Sequence, residues 1–313
     1  MISAYCLSYG NWTVIPSHWE RVFADMRECG FDTVALSFSE SEKTYAMRTF
    51  EQQVEYAHKQ GLKVLGIPSR IGGRFAGAPM MPSPWLMQHS EALVPGSTTT
   101  ASLMSPEFLE FSLDYIRTML KSFDLDGLVL DEPKAVEMID RSPRVLKRFG
   151  ENPSVSDMYT LMLEYLQLLI DDAKKLKPDL SVTLFNMPPT PEEFTRASAK
   201  LRGLDYAGFD GPCSAQSFFH EPASHSKRFI RDSWERTKAE TAGVTGSFAL
   251  VENILIPDSA FEEFKQEYRR VLNEVKPDHL SIYYYGHNNE SAETVQKFCM
   301  DELKKHIAEG GMK

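Results

Sequence analysis

Eight short apolar runs, each followed by a stretch with helical periodicity, recur along the chain without a break in composition. The runs are Ser3 to Ser8, Thr33 to Phe38, Lys63 to Ile67, Gly127 to Asp131, Ser181 to Phe185, Asp205 to Phe209, Ser247 to Val251 and Leu280 to Tyr285. The helical stretches are Ser17 to Cys29, Thr44 to Gln60, Pro106 to Phe123, Asp157 to Lys175, Pro191 to Leu201, His225 to Thr241, Ser259 to Val275 and Ala292 to Ile307. Gly30, Gly61 and Gly243 directly follow three of them, where chains commonly leave a helix. Such a count of β-α units predicts a closed (β/α)₈ (TIM) barrel, because an open doubly wound sheet rarely needs so many and usually begins with a Gly-rich phosphate turn. The first turn here, Tyr9-Gly10-Asn11-Trp12, is not one. A chain of 313 residues fits one such barrel, so a single domain over 1–313 is expected.

Residues 126 to 133 carry the most chemistry. Asp126-Gly127 makes a turn and Leu128-Val129-Leu130 suits a strand buried on both faces; Asp131 and Glu132 follow before Pro133 stops the ladder. Reactive groups of a barrel gather at the carboxyl ends of its strands. The other predicted ends supply Asn186 on strand five, Asp210 on strand six, Glu252 and Asn253 on strand seven, and Tyr285, His287, Asn288 and Asn289 on strand eight. Carboxylates, amides and aromatics are the set glycoside hydrolysis asks for: an acid to protonate the leaving oxygen, a carboxylate to attack or activate water, amides for sugar hydroxyls, and ring faces for sugar C–H surfaces.

The remaining composition narrows the partners. A net charge of −10 with no basic stripe argues against nucleic acid and anionic membranes, and a small carbohydrate suits it better. No apolar run approaches a membrane span, and no signal peptide is evident. Cys6, Cys29, Cys213 and Cys299 lie far apart, as reduced thiols of a cytoplasmic protein would. No cofactor motif and no metal-ligand spacing stands out, so neither is expected.

Asp131-Glu132-Pro133 on strand four with Val251-Glu252-Asn253 on strand seven resembles the clan-A glycoside hydrolases, whose Asn-Glu-Pro motif bears the acid/base and whose strand-seven Glu is the nucleophile. The resemblance implies Glu132 as acid/base and Glu252 as nucleophile; Asp131 departs from the usual Asn. Ser105-Pro106-Glu107, the stretch 126 to 133 and Leu146-Lys147-Arg148-Phe149-Gly150 are also similar to bacterial glycosyl-hydrolase-like barrel proteins. In those roles the acid must hold its proton at working pH, while Glu252 must stay ionised, with Asn186 or Tyr285 as contacts. Strand alternation should turn Asp131 and Glu132 opposite ways unless a bulge intervenes, and Asp131 is equally a structural Asp. Asp210, in Phe209-Asp210-Gly211-Pro212, reads as the Asp of a tight turn, yet a clan-D-like arrangement would pair it with Asp131 or Glu132.

Two other readings stay open: a metal-dependent sugar isomerase or epimerase using Glu132, Asp210, Glu252 and His287 as ligands, and a carbohydrate-binding barrel without catalysis. Two long connections, Ser69 to Met104 and Lys134 to Ser156, should wall the mouth at the C-terminal face; the second holds a short helix, Pro143 to Phe149. The Pro, Gly and Ser content of the first argues against a folded subdomain there. It is expected to bring Trp85 or Arg70 to the sugar, giving an exo-acting or small-oligosaccharide site. Trp12 is a second candidate platform, whereas Trp19 and Trp234 lie in helical patterns and should pack.

Overall fold

The computed structural model describes residues 1–6, 15–76, 83–136, 138–213, 229–284 and 289–311. Eight parallel strands close into a barrel in sequential order: β1 (Ile2–Cys6), β2 (Thr33–Ser39), β3 (Lys63–Ser69), β4 (Gly127–Asp131), β5 (Ser181–Asn186), β6 (Tyr206–Pro212), β7 (Gly246–Glu252) and β8 (His279–Tyr283). β8 returns to β1 through Ser3↔Ser281 and Tyr5↔Tyr283. Among the described residues there are eleven α-helices: α1 (Pro16–Glu28), α2 (Glu40–Tyr45), α3 (Met47–Lys59), α4 (Pro84–Gln88), α5 (Pro106–Ser122), α6 (Pro143–Phe149), α7 (Val155–Leu176), α8 (Glu192–Ser198), α9 (Ile230–Thr241), α10 (Phe261–Glu274) and α11 (Ala292–Ala308). None is long and apolar enough to cross a membrane.

Alternation along the strands divides the core in two. Tyr5, Leu65, Ile67, Val129, Phe185, Phe248, Leu250 and Tyr283 fill the barrel interior, while their sequence neighbours pack outward against the helices. The same parity turns Asp131, Asp210 and Glu252 inward, two residues beyond Val129, Gly208 and Leu250. Gly208 is required there: a Cβ on it would lie 1.9 Å from the carbonyl oxygen of Phe248 on β7.

Local chemistry explains where elements depart from the expected bounds. The predicted helix Thr44 to Gln60 is two helices, because the backbone breaks at Ala46 (φ −137°, ψ 25°). The helix expected from Asp157 starts at Val155, since Ser154 and Asp157 form a reciprocal capping box. β6 runs through Asp210 to Pro212, with Asp210 opposite Leu250 and Pro212 opposite Glu252, so Asp210 is a strand residue and the tight-turn reading is corrected. α6 occupies Pro143–Phe149.

The connection after β3 carries short elements along its described residues. It contains a 3-10 turn at Ile71–Gly73, helix α4, a second 3-10 turn at Ser90–Ala92 and a bridge between Leu93 and Ala101. The carboxylate of Glu40, at the start of α2, organises it by accepting from Gly72 N (3.3 Å), Ser83 Oγ (2.6 Å) and Trp85 N (2.8 Å). Arg74, 3% exposed, joins the two long connections, donating from Nε to Ala101 O (2.7 Å) and from Nη1 to Lys134 O (3.0 Å). Leaving such buried partners unpaired costs about 1–3 kcal/mol each, so the pairing fixes the backbone around Lys134.

Candidate active site

Glu132 owes its place to an unusual backbone. β4 ends at Asp131, yet Glu132 N still donates to Phe185 O (3.1 Å) while its own φ is 40°. A left-handed Glu costs about 1–3 kcal/mol and tends to occur at functional sites. It also changes the direction of the chain one residue after the strand, so Asp131 and Glu132 both serve the mouth despite being adjacent. Arg70, which follows β3 directly, is left-handed too (φ 58°).

Glu132, Asp210 and Glu252 line one cavity of about 210 Å³ with Met187, Pro188, Gly211 and Pro212. Glu132 also borders a neighbouring cavity of about 160 Å³, walled among others by Lys134, Tyr159, Asn186 and Thr190. Lys134 Nζ donates to Glu132 Oε2 at 2.6 Å and to Met187 Sδ at 3.5 Å. Asp131 sits in the layer beneath, 3% exposed, where Tyr5 O–H from across the barrel donates to its Oδ2 at 2.6 Å. Asn186 donates to Ser198 Oγ (3.2 Å), and its Oδ1 is buried without a hydrogen-bond partner among the described residues.

The carboxyl groups are close enough to contest their charges. Burial, then the charge of Glu132, pushes Asp131 up to about 7, with Tyr5, Lys134 and Arg70 opposing. Glu252 is pushed up to about 8 by burial and by the charges of Glu132 and Asp131. Asp210 lies well above the carboxylate range through burial and the charges of Glu132 and Glu252, and its Oδ1 is buried without a hydrogen-bond partner among the described residues. Asp131, Asp210 and Glu252 are therefore all raised in the same direction by burial and by neighbouring charges. No amide or hydroxyl of the described residues offsets the burial of Glu252, and Tyr285, one of the two contacts expected to keep it ionised, lies outside them.

Arg70 lies near enough to Asp131 to lower its pKa. Trp85 is placed elsewhere, which corrects its reading as a sugar platform: its ring stacks on Phe111 of α5 (4.7 Å) and on His89 (4.3 Å), and it borders neither cavity. Trp19 and Trp234 are buried. Tyr285, His287, Asn288 and Trp12 lie outside the described residues. Among the described residues no three His, Cys, Asp or Glu side chains form a group that could hold a metal ion. Sequence reasoning missed Tyr5, Tyr283 and Lys134. Interior parity from Ser3 and Ser281 would have found the tyrosines; nothing local marks Lys134, whose position depends on Arg74.

No family model matches the chain, and no curated protein matches it in sequence. Solved structures do match in fold. A β-galactosidase from the psychrophilic Marinomonas ef1 superimposes with a TM-score of 0.66 at 12% identity, over 100% of this chain and 60% of that one. GH5_18 from Streptomyces cattleya, in complex with GlcNAc, gives 0.64 at 11% identity over 98% and 79%. A glycoside hydrolase family 5 mannosidase from Rhizomucor miehei gives 0.61 at 8% identity over 94% and 89%. The chain thus spans 60% of the β-galactosidase's length. The likeness lies in the fold, a closed (β/α)₈ barrel.

Proposed function

We propose that the protein is a glycoside hydrolase acting on small carbohydrates or on chain ends, with Glu132 and Glu252 as the reacting carboxylates. The observation that supports this most is the convergence of Glu132, Asp210 and Glu252, from three strand ends, on one cavity. Glu132, which borders both cavities, is suited to protonate the oxygen leaving the first for the second; Glu252, which borders only one, is suited to face the anomeric carbon.

Catalysis then turns on where one proton resides. The acid must deliver a proton to the leaving oxygen, while Glu252, raised to about 8, must lose its own before it attacks. Asp210 lines the same cavity and lies within the field of Glu132 and Glu252. After Glu132 has given its proton to the leaving oxygen, Lys134 at 2.6 Å steadies the resulting charge. Asp131, held by Tyr5, lies beneath the reacting carboxyls, and Asn186 Oδ1 accepts from a substrate hydroxyl. An open cavity at the carboxylates supports catalysis over simple binding.

Incubation with short oligosaccharides tests the substrate class. Chromatography should show monosaccharide released stepwise from an end, whereas mid-chain cleavage of long polymers would contradict a site made of two small cavities.

A further inference from the structure

The cavity beside the carboxylates has features of its own. Its volume, about 160 Å³, is roughly ten times what a single water needs. Two polar groups in it have capacity to spare. Lys134 has three N–H donors, of which one goes to Glu132 and another makes only a long contact with Met187 Sδ. Asn186, 3% exposed, spends its Nδ2 on Ser198, while its Oδ1 has no partner among the described residues. A buried amide oxygen in that condition is costly, about 1–3 kcal/mol, until a donor reaches it. Val136, Tyr159 and Pro191 complete the wall with apolar surface.

An apolar face with one free donor and one free acceptor suits a sugar ring, which presents C–H surface on one side and hydroxyls around its rim. The cavity meets the catalytic one at Glu132 and Met187, whereas Asp210 and Glu252 border only the catalytic cavity. A molecule occupying both would carry the bond between its two parts past Glu132.

We propose that this cavity, with Lys134 and Asn186 as its polar contacts, binds the leaving sugar unit, so that the substrate is at least a disaccharide rather than a glycoside with a small aglycone. This rests on the glycosidase reading above. The hydrolysed bond joins the anomeric carbon to the glycosidic oxygen; that oxygen leaves with the proton from Glu132, and water supplies the hydroxyl to the carbon and restores the proton.

Thr190 borders the cavity, and none of its side-chain atoms makes a hydrogen bond to another described residue, so Thr190→Trp should fill the space. The variant and the native protein would be compared on matched pairs: lactose with β-galactosyl fluoride, cellobiose with β-glucosyl fluoride, and mannobiose with β-mannosyl fluoride. Fluoride leaves as a single atom and needs no second cavity. The ratio of kcat/KM for the disaccharide to that for the fluoride should fall about 30-fold or more in Thr190→Trp. Thr190→Gln, a smaller filler, should move it the same way by less, so the outcome does not hang on one variant folding. A ratio within about threefold of the native value in both folded variants would overturn the subsite assignment while leaving the glycosidase reading in place. Hydrolysis of none of the six compounds by the native protein would count against that reading, and with it the subsite.

Discussion

Glu252→Ala is expected to lose about 10³-fold or more of the native rate on an aryl glycoside, and azide is expected to restore turnover by making a glycosyl azide of configuration opposite to the substrate. The small anion would occupy the space left by the carboxylate and attack the anomeric carbon in its place. Glu132→Ala should behave differently. Without a proton donor it should lose most with poor leaving groups and least with dinitrophenyl ones, which depart without help, and Lys134 would lose its partner. An inverted azide product from Glu132→Ala, rather than from Glu252→Ala, would exchange the two roles.

Glu252→Gln should melt higher than the native protein at pH 8, by about 5 °C, with the difference shrinking toward pH 4. In the unfolded chain the carboxyls lose their protons near pH 4, whereas in the folded protein Asp131 holds its proton to about 7 and Glu252 to about 8. Between those limits the folded state binds more protons. The stabilisation from these groups is therefore complete below about pH 4 and is lost as pH rises through 7 and 8. A neutral amide escapes that loss, as Asp210→Asn also should, because burial and its neighbours raise Asp210 in the same direction. Differential scanning at both pH values reads the effect. A variant melting below the native protein at pH 8, or one offset equally at both, would show that these carboxyls are not charged against their environment. The gain would come at the expense of activity, as it does when a strained site is relieved.

The parts of this molecule that repeat were the legible ones. Strand and helix periodicities are set by nearest neighbours, so β4 was readable to the residue and α6 likewise. The acids at the ends of β4 and β7 followed, because period-two alternation in a closed barrel leaves a residue only two directions. What failed depends on partners distant in sequence. Asp210-Gly211-Pro212 has the composition of a turn, but pairing with Leu250, Val251 and Glu252 keeps it extended. Trp85 sits in a connection, where an exposed ring is the default, yet Glu40 fixes α4 and the indole lands on Phe111. The left-handed Glu132 was invisible for the same reason, since only the assembled site sustains that conformation.

Release of the phenol from a panel of aryl glycosides, by the native protein alongside Glu132→Gln and Glu252→Gln, shows whether these two carboxyls carry out glycoside hydrolysis. The native protein should hydrolyse at least one glycoside, and each variant should lose about 10²-fold or more of that rate although both remain folded. Hydrolysis that survives in both variants, or none with any glycoside in the panel, would contradict the proposed function.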